Sequence, residues 1–288
     1  MTTNPFIWRK IPDTMATLVN ENQSLIKSAG ETQGPAVCVL ASGSRGNATY
    51  LSDGHTHILL DSGLSGIQIE RRLKLRGIRP DDLDAILVSH EHRDHISGVG
   101  VLSRRFDLPV YITSKTAAAS ARLMGHLREV IHFNCGTPFK INSLRIHPFS
   151  ISHDAVDPAG FTFQLNGKKV GVATDLGVVT TVVKSHLTEC TVLILEANHD
   201  SDLLINGPYA WPLKQRIMSR SGHLSNQDTG RLLAEMIHDR LKQVILAHLS
   251  EINNTPEKAL STIHPVISNK KIALLVASQS DCGALINV

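Results

Sequence analysis

One short segment constrains this chain more than any other. It reads Ser89-His90-Glu91-His92-Arg93-Asp94-His95 and directly follows the apolar run Ala85 to Val88. The run predicts a buried strand, and loops after strands are where rigid folds present functional side chains. The segment holds three histidines and two carboxylates within six residues, and divalent metals bind imidazole and carboxylate well. It therefore predicts a metal site at the end of a strand.

The spacing of these residues favours two metal positions over one. Side chains two residues apart in an extended segment point to the same side, which pairs His90 with His92. Asp94 and His95 lie at the turn into a helix and can face a second position a few ångströms away. The alternative is a polar helix start with solvated charges, which so dense a cluster disfavours.

Short strands and helices alternate through most of the chain. The first strands are predicted at Val37 to Ala41, Ala48 to Leu51 and His57 to Asp61, the last two joined by Asp53-Gly54. Later strands are predicted from the apolar runs Val110 to Thr113, Val130 to Phe133, Leu144 to Ser152, Phe161 to Leu165, Lys169 to Ala173, Val192 to Glu196, Val244 to Leu249 and Ile272 to Val276. Helices are predicted at Ile67 to Leu75, Ser114 to Gly125, Tyr209 to Ser219 and Ser225 to Arg240. This pattern predicts an α/β (α+β) fold with two packed mixed sheets covered by helices.

Composition and charge restrict the class of protein. Apolar residues make up 42% and charged residues 19%, as in soluble globular enzymes. The net charge of +3 neither requires nor excludes a polyanionic partner. No apolar run approaches the ~18 residues of a membrane span, and no secretory signal precedes the first strand. The four cysteines are scattered, which favours a reducing compartment. We expect a cytoplasmic protein without a membrane partner, with residues 1–35 as a loosely ordered extension and residues 36–288 as one domain.

The metal-site segment resembles a known signature. The order His90, His92, Asp94, His95 is similar to the H-x-H-x-D-H motif of the metallo-β-lactamase superfamily. Hydrolases of that superfamily have a further histidine, aspartate and histidine at later strand ends, and these match His153, Asp175 and His248. The resemblance implies a four-layer αββα sandwich and two divalent metal ions per chain, with zinc, manganese and iron as candidates.

The same resemblance implies how the residues divide between the metals. One metal would be held by His90, His92 and His153, and the other by Asp94, His95 and His248. Asp175 would bridge the two metals, and Asp61 would support the site without binding a metal itself.

Several segments are similar to a group of small hydrolases of this superfamily named YycJ, also VicX or WalJ. They are Leu40 to Asn47, His153 to Phe161, Leu195 to Asp200, Ser221 to Asn226 and His248 to Ser250. The similarity runs from about Val37 to the C-terminus. It implies a nuclease, with 5′ to 3′ exonuclease activity on double-stranded DNA. The alternatives are a small-molecule (cyclic) phosphodiesterase or other ester hydrolase on the same site, and a non-catalytic signalling partner, whose mark would be lost ligands.

Four residues have expected roles in the reaction. Asp94 would orient a hydroxide nucleophile between the metals, and His223 would be the general acid that protonates the leaving oxygen. Its alternative role is a loop histidine hydrogen-bonded to backbone. Ser44 and Asn47 lie in a glycine-rich turn that resembles a phosphate-contacting loop, although a plain hairpin turn fits as well.

Overall fold

Two seven-stranded sheets contain most of the apolar segments of residues 34–288, the part of the chain that the computed structural model describes. The prediction for residues 1–35 lies almost wholly outside the described residues. In the first sheet the spatial order is β14-β1-β2-β3-β4-β5-β6. Its strands are β1 (Ala36–Ala41), β2 (Ala48–Ser52), β3 (His57–Leu60), β4 (Ala85–Leu87), β5 (Pro109–Ile112), β6 (Glu129–His132) and β14 (Ile286–Asn287).

The second sheet has the order β13-β12-β11-β10-β9-β8-β7. Its strands are β7 (Phe139–Ile141), β8 (Leu144–Ser150), β9 (Ala159–Leu165), β10 (Lys168–Ala173), β11 (Val192–Glu196), β12 (Gln243–Ala247) and β13 (Ala273–Val276). Both sheets are mixed, since β3 to β6 and β10 to β13 pair in parallel and the other neighbours pair antiparallel.

Helices cover the outer face of each sheet. The α-helices of the described residues are α1 (Gly66–Lys74), α2 (Arg93–Ile96), α3 (Val99–Arg105), α4 (Ser114–Met124), α5 (Thr181–Leu187), α6 (Ser201–Asn206), α7 (Trp211–Ile217), α8 (Asn226–Met236) and α9 (Pro256–Ile267). One apolar core joins the inner faces of the sheets, a second lies under α1, α3 and α4, and a third lies under α5, α8 and α9. This is the four-layer αββα sandwich, so the predicted fold class is confirmed.

Local sequence signals explain several boundaries. Asn166 and Gly167 both have positive φ, of 48° and 80°, and they turn β9 into β10 as predicted. The Ser225 hydroxyl accepts a hydrogen bond from the Asp228 amide at the start of α8. The predicted end of this helix at Arg240 is wrong: α8 ends at Met236, because Ile237 adopts an extended conformation. Among the described residues, no helix is long and apolar enough to cross a membrane.

The fold brings several strand ends to one edge of the sandwich. Strands β3, β4, β8, β10, β11 and β12 all end at this edge. Strand β8 does so because it runs parallel to β10, which lies two strands away in the same sheet. The residues that follow these strands are therefore neighbours in space even when they are far apart in sequence.

Candidate metal centre

Three residues at this edge have an unusual backbone. Asp61, Asp175 and His248 follow β3, β10 and β12, and their φ angles are 59°, 58° and 56°. Positive φ is uncommon for residues other than glycine, and such strain persists mainly where a functional arrangement requires it. At these positions the strand turns sharply, and the turn aims the side chain across the end of the sandwich.

The first group of donor atoms comes from three histidines. One ring nitrogen from each of His90, His92 and His153 lies within 4.8 Å of the other two. His153 Nε2 is 3.2 Å from His92 Nδ1. His90 Nε2 is buried and has no hydrogen-bond partner within the described chain. Because buried polar atoms are normally satisfied, converging nitrogens of this kind fit a cation placed between them.

The second group combines two carboxylates and two histidines: Asp94, His95, Asp175 and His248. Asp94 Oδ2 is 3.5 Å from Nε2 of both histidines. Asp175 lies between the two groups. Its Oδ2 is 3.3 Å from His95 Nε2, and its Oδ1 is 3.3 Å from His248 Nε2 and 3.8 Å from His153 Nε2 of the first group.

The protein holds several of these histidines by their other ring nitrogen. His95 Nδ1 is 2.8 Å from Asp61 Oδ2, and the same carboxylate accepts a hydrogen bond from the Ser89 amide. His153 Nδ1 is 3.2 Å from the Gly222 carbonyl. Such contacts fix the ring orientation and leave Nε2 for a metal. Asp61 therefore lies behind the donor residues and is not part of either donor group.

The charges of the second group favour bound cations. Burial alone would raise the pKa of Asp175, but His248 and His95 outweigh burial and hold it well below its usual range. Burial would lower the pKa of His95, yet Asp175 and Asp94 hold it well above its usual value. The buried carboxylates therefore require positive charge beside them. Divalent cations would supply that charge in place of protons, and the donor set fits them.

Glu196 has no counterpart among the site residues expected from the sequence. It ends β11 and is fully buried. Its Oε1 is 2.7 Å from His223 Nδ1 and 3.3 Å from His248 Nδ1, and its Oε2 accepts hydrogen bonds from the amides of Leu176 and Leu224. Burial would raise the pKa of Glu196, but His223 and His248 lower it to about 2. In the sequence, the signal for Glu196 was its position as a carboxylate at the end of an apolar run that predicts a strand.

His223 lies at the wall of the pocket. Its side chain is 20% exposed, and the Glu196 contact to Nδ1 leaves Nε2 for the pocket. Burial lowers the pKa of His223, but the Glu196 carboxylate outweighs burial and raises it. The partner of this ring is thus a buried carboxylate rather than backbone.

The glycine-rich turn after β1 places its two predicted residues differently. Ser44 is exposed and lines the pocket. Asn47 is buried, and its side-chain amide nitrogen lies 3.2 Å from Asp94 Oδ2 and 3.0 Å from His95 Nε2. Asn47 therefore contacts the donor residues from the protein side rather than the pocket.

A pocket of about 380 Å³ opens over both donor groups. Its walls include His92, Asp94, Asp175 and His248 from the donor groups, together with Ser44, Arg93, Tyr209, Arg216 and His223. Arg93 forms no ion pair within the described part of the chain. The pocket thus joins the two donor groups to a guanidinium without an ion-pair partner, an arrangement suited to an anionic ligand.

Comparison with known proteins decides the family. Residues 56–249, which hold the donor groups, match the model of the β-lactamase superfamily domain. The chain belongs to the β-lactamase superfamily. Within this superfamily it is 38% identical over 234 residues to exodeoxyribonuclease YycJ of Bacillus anthracis, covering 81% of this chain and 89% of the relative.

Further comparisons agree with this assignment. The chain is 39% identical over 229 residues to exodeoxyribonuclease WalJ of Streptococcus pneumoniae, covering 78% of this chain and 85% of the relative. The metallo-β-lactamase fold protein YhfI of Bacillus subtilis has a similar structure, with a TM-score of 0.68 at 17% identity, covering 88% of this chain and 99% of that one. The resemblance to the YycJ and WalJ group of this superfamily is confirmed.

Proposed function

We propose that this chain is a dinuclear metal-dependent phosphodiester hydrolase that degrades DNA, with the 5′ to 3′ exonuclease activity on duplex DNA that the family resemblance implies. The observation that carries the proposal is the pair of donor groups beneath one pocket, with Asp175 of the second group 3.8 Å from His153 of the first. Relatives named exodeoxyribonucleases, 38% and 39% identical to most of this chain, support DNA as the substrate class.

The two donor groups are proposed to hold two divalent cations. His90, His92 and His153 would bind one, Asp94, His95 and His248 the other, and Asp175 would contact both. Bound cations would activate water near neutral pH and stabilise charge on the phosphoryl oxygens. Mixed imidazole and carboxylate donors suit zinc and manganese, and also iron.

The chain's own groups position the reactants. Asp94 Oδ2 lies at the pocket and can accept a hydrogen bond from the attacking water, which orients that water toward the phosphorus. Arg93 and Ser44 at the pocket wall can bind non-bridging phosphate oxygens, since a guanidinium and a hydroxyl both donate hydrogen bonds.

His223 is proposed to protonate the leaving oxygen. Glu196 holds Nδ1, which orients the ring and stabilises its protonated form. The proton on Nε2 then faces the pocket and can pass to the leaving alkoxide. Glu196 acts through His223 and His248, so it is a positioning residue rather than a catalytic one.

The variant His223→Gln tests this role through the leaving group. An alkoxide of DNA is a poor leaving group, so we expect DNA degradation to fall by about 10² to 10⁴. Hydrolysis of bis(p-nitrophenyl) phosphate should change far less, because nitrophenolate leaves without a proton. Steady-state rates on both substrates measure the difference. An equal loss on both substrates would contradict the role of His223 as the acid.

The substrate class is tested with end-labelled nucleic acids. Wild-type protein and His92→Ala are incubated with 5′-labelled duplex DNA, single-stranded DNA, RNA and a cyclic dinucleotide. We expect rapid degradation of the duplex from its 5′ end, and its loss in the variant, since His92 belongs to a donor group. Faster cleavage of the cyclic dinucleotide than of the duplex would identify a small-molecule phosphodiesterase instead.

A further inference from the structure

A row of positive charge crosses the outer face of the second sheet, away from the metal centre. Lys140 pairs directly with Arg145, Arg145 with Gln164, and Gln164 with Lys169. These four residues therefore stand side by side on β7, β8, β9 and β10. We call Lys140, Arg145 and Lys169 the cation row.

The alternation of the strands sets the direction of these side chains. In β8, Leu144 and Ile146 are buried in the core between the sheets, whereas Arg145 is exposed. Directly opposed residues in a sheet share a face, so the rest of the row points outward with Arg145. Four strands at ~4.8 Å spacing make the row about 14 Å long.

The charges of the cation row are not neutralised by ion pairs. No carboxylate of residues 34–288 forms an ion pair with Lys140, Arg145 or Lys169. The ammonium of Lys169 donates only to the Thr188 carbonyl, at 2.9 Å. Like charges directly opposed across strands are destabilising, so the Lys140 and Arg145 pair opposes folding of the free protein. An anion bound between the two charges would offset that cost.

A groove beside the row completes the surface. It has a volume of about 340 Å³ and is lined by Arg145, His147, Thr162, Gln164, Lys169, Ser185 and His186, with no carboxylate among them. The ring of His186 lies 4.4 Å from that of His147 and stacks on Phe149 at 4.7 Å. Burial lowers the pKa of His186, and His147 and Lys169 lower it further, which agrees with a positive potential in the groove.

We propose that the cation row and its groove form a second contact for nucleic acid, which binds the phosphate backbone of duplex DNA behind the strand end that enters the metal centre. The inference rests on the proposed nuclease function. A row of about 14 Å is too long for one phosphate, since each DNA strand carries one phosphate per ~3.4 Å of helix axis. The groove offers hydroxyl and amide donors beside the cations, as backbone contacts in nucleic-acid complexes do.

The position of the row predicts a dependence on duplex length. Arg145 precedes His153 by eight residues on β8 and the loop that follows it, a path of at most about 26 Å at ~3.3 Å per residue. The two places therefore lie up to about 7 base pairs apart along a duplex, at ~3.4 Å per base pair, and we expect a shorter duplex to lose its contact with the row.

The test compares two triple variants of the full chain. The row variant is Lys140→Gln, Arg145→Gln and Lys169→Gln. The matched control is Lys74→Gln, Lys115→Gln and Arg122→Gln, which removes three exposed cations from α1 and α4 over the other sheet. Each protein is assayed on a duplex of about 30 base pairs, on a hairpin with a stem of about 6 base pairs, roughly 20 Å long, and on bis(p-nitrophenyl) phosphate.

We expect the row variant to lose about 10-fold or more in kcat/KM on the long duplex. Its affinity for this duplex should also depend less on salt, with the magnitude of the slope of log affinity against log salt concentration smaller by about 2 to 3. The short stem and the small diester should be cleaved at wild-type rates, and the control variant should match wild type on all three substrates. The melting temperature of the row variant should equal or exceed that of wild type, because an opposed pair of like charges has been removed.

Three results would overturn the proposal. The row variant could degrade the long duplex as wild type does, or lose activity equally on the short stem. It could also lose binding to phosphatidylserine vesicles with duplex degradation unchanged, which would assign the row to a lipid surface. Failure of the proposed nuclease function is distinguishable, because wild-type protein would then hydrolyse the small diester and leave every duplex intact.

Discussion

Replacing Asp175 with alanine is expected to lower hydrolysis of bis(p-nitrophenyl) phosphate by about 10³-fold or more. The variant removes the carboxylate that lies between the two donor groups, with Oδ2 at 3.3 Å from His95 Nε2 and Oδ1 at 3.8 Å from His153 Nε2. Metal catalysis contributes several kcal/mol of transition-state stabilisation, and each ~1.4 kcal/mol corresponds to a factor of ten in rate. Initial rates at saturating substrate measure the loss.

A nearby aspartate provides the matched control. Asp154 lines the same pocket and pairs with Arg216, and although its Oδ1 is 3.3 Å from His153 Nε2 it belongs to neither donor group. We expect Asp154→Ala to keep its activity within about 10-fold of wild type, the lower end of the effect of contacts outside the donor set. Equal losses in both variants would mean that general pocket charge, rather than the bridging position of Asp175, supports the reaction.

Replacing Gly63 with alanine is expected to disrupt the metal centre without changing any donor. A Cβ atom at Gly63 would lie 1.6 Å from the Asp94 carbonyl oxygen and 2.7 Å from the Asn47 amide nitrogen, both backbone atoms. The loop that holds Asp94 must therefore move. Overpacking usually costs ~1 to 3 kcal/mol, and occasionally more, so a lower melting temperature and a large loss of activity should occur together.

Gly230 is the control for this substitution. It lies inside α8, and a Cβ there would meet only the Val266 side chain, at an ordinary distance of 3.7 Å. Gly230→Ala should therefore preserve activity and stabilise the fold by about 0.4 to 1 kcal/mol, because alanine restricts the unfolded chain. Chemical denaturation of both variants provides the comparison. A Gly63→Ala protein as stable and active as wild type would contradict the tight packing of this loop.

Four of the candidate donor residues could be recognised in the sequence because their signal is local. His90, His92, Asp94 and His95 lie within one segment directly after an apolar run, and no tertiary information is needed to recognise it. Asp175 and His248 are single residues, and the order of the family motif rather than any local pattern identified them. Their left-handed backbone, with φ of 58° and 56°, could not be inferred from the residue type.

Glu196 was missed as a site residue for a physical reason. Its role depends on His223, which is distant in sequence and approaches only when α8 packs on the second sheet. A carboxylate at the end of an apolar strand run is a weak signal without a nearby motif. By contrast, the helix α9 was overlooked although Thr255 caps its first turn and Pro256 follows, signals that mark a helix start.

The boundary of α8 shows how tertiary packing changes local preference. Residues after Met236 keep a helix-compatible composition, but Ile237 turns into an extended conformation. Ile237 packs against the apolar core under α8. The helix therefore ends where the chain must turn to reach β12.

The non-catalytic interpretation predicts lost ligands, and the structure offers no sign of loss. All seven expected donor residues lie at one edge of the sandwich, and six of them sit within the two groups around Asp175. A protein retained only as an interaction module would have no need to keep buried carboxylates and strained backbone at this position.

The central claim is that these seven side chains hold two divalent cations. Elemental analysis of freshly purified full-length protein tests it most directly, with His92→Ala measured in parallel. We predict close to two equivalents of zinc, manganese or iron per wild-type chain and a clear deficit in the variant, since one of its donor groups is incomplete. Wild-type protein that hydrolyses phosphodiesters at full rate with no bound transition metal, before and after exhaustive chelation, would contradict the account.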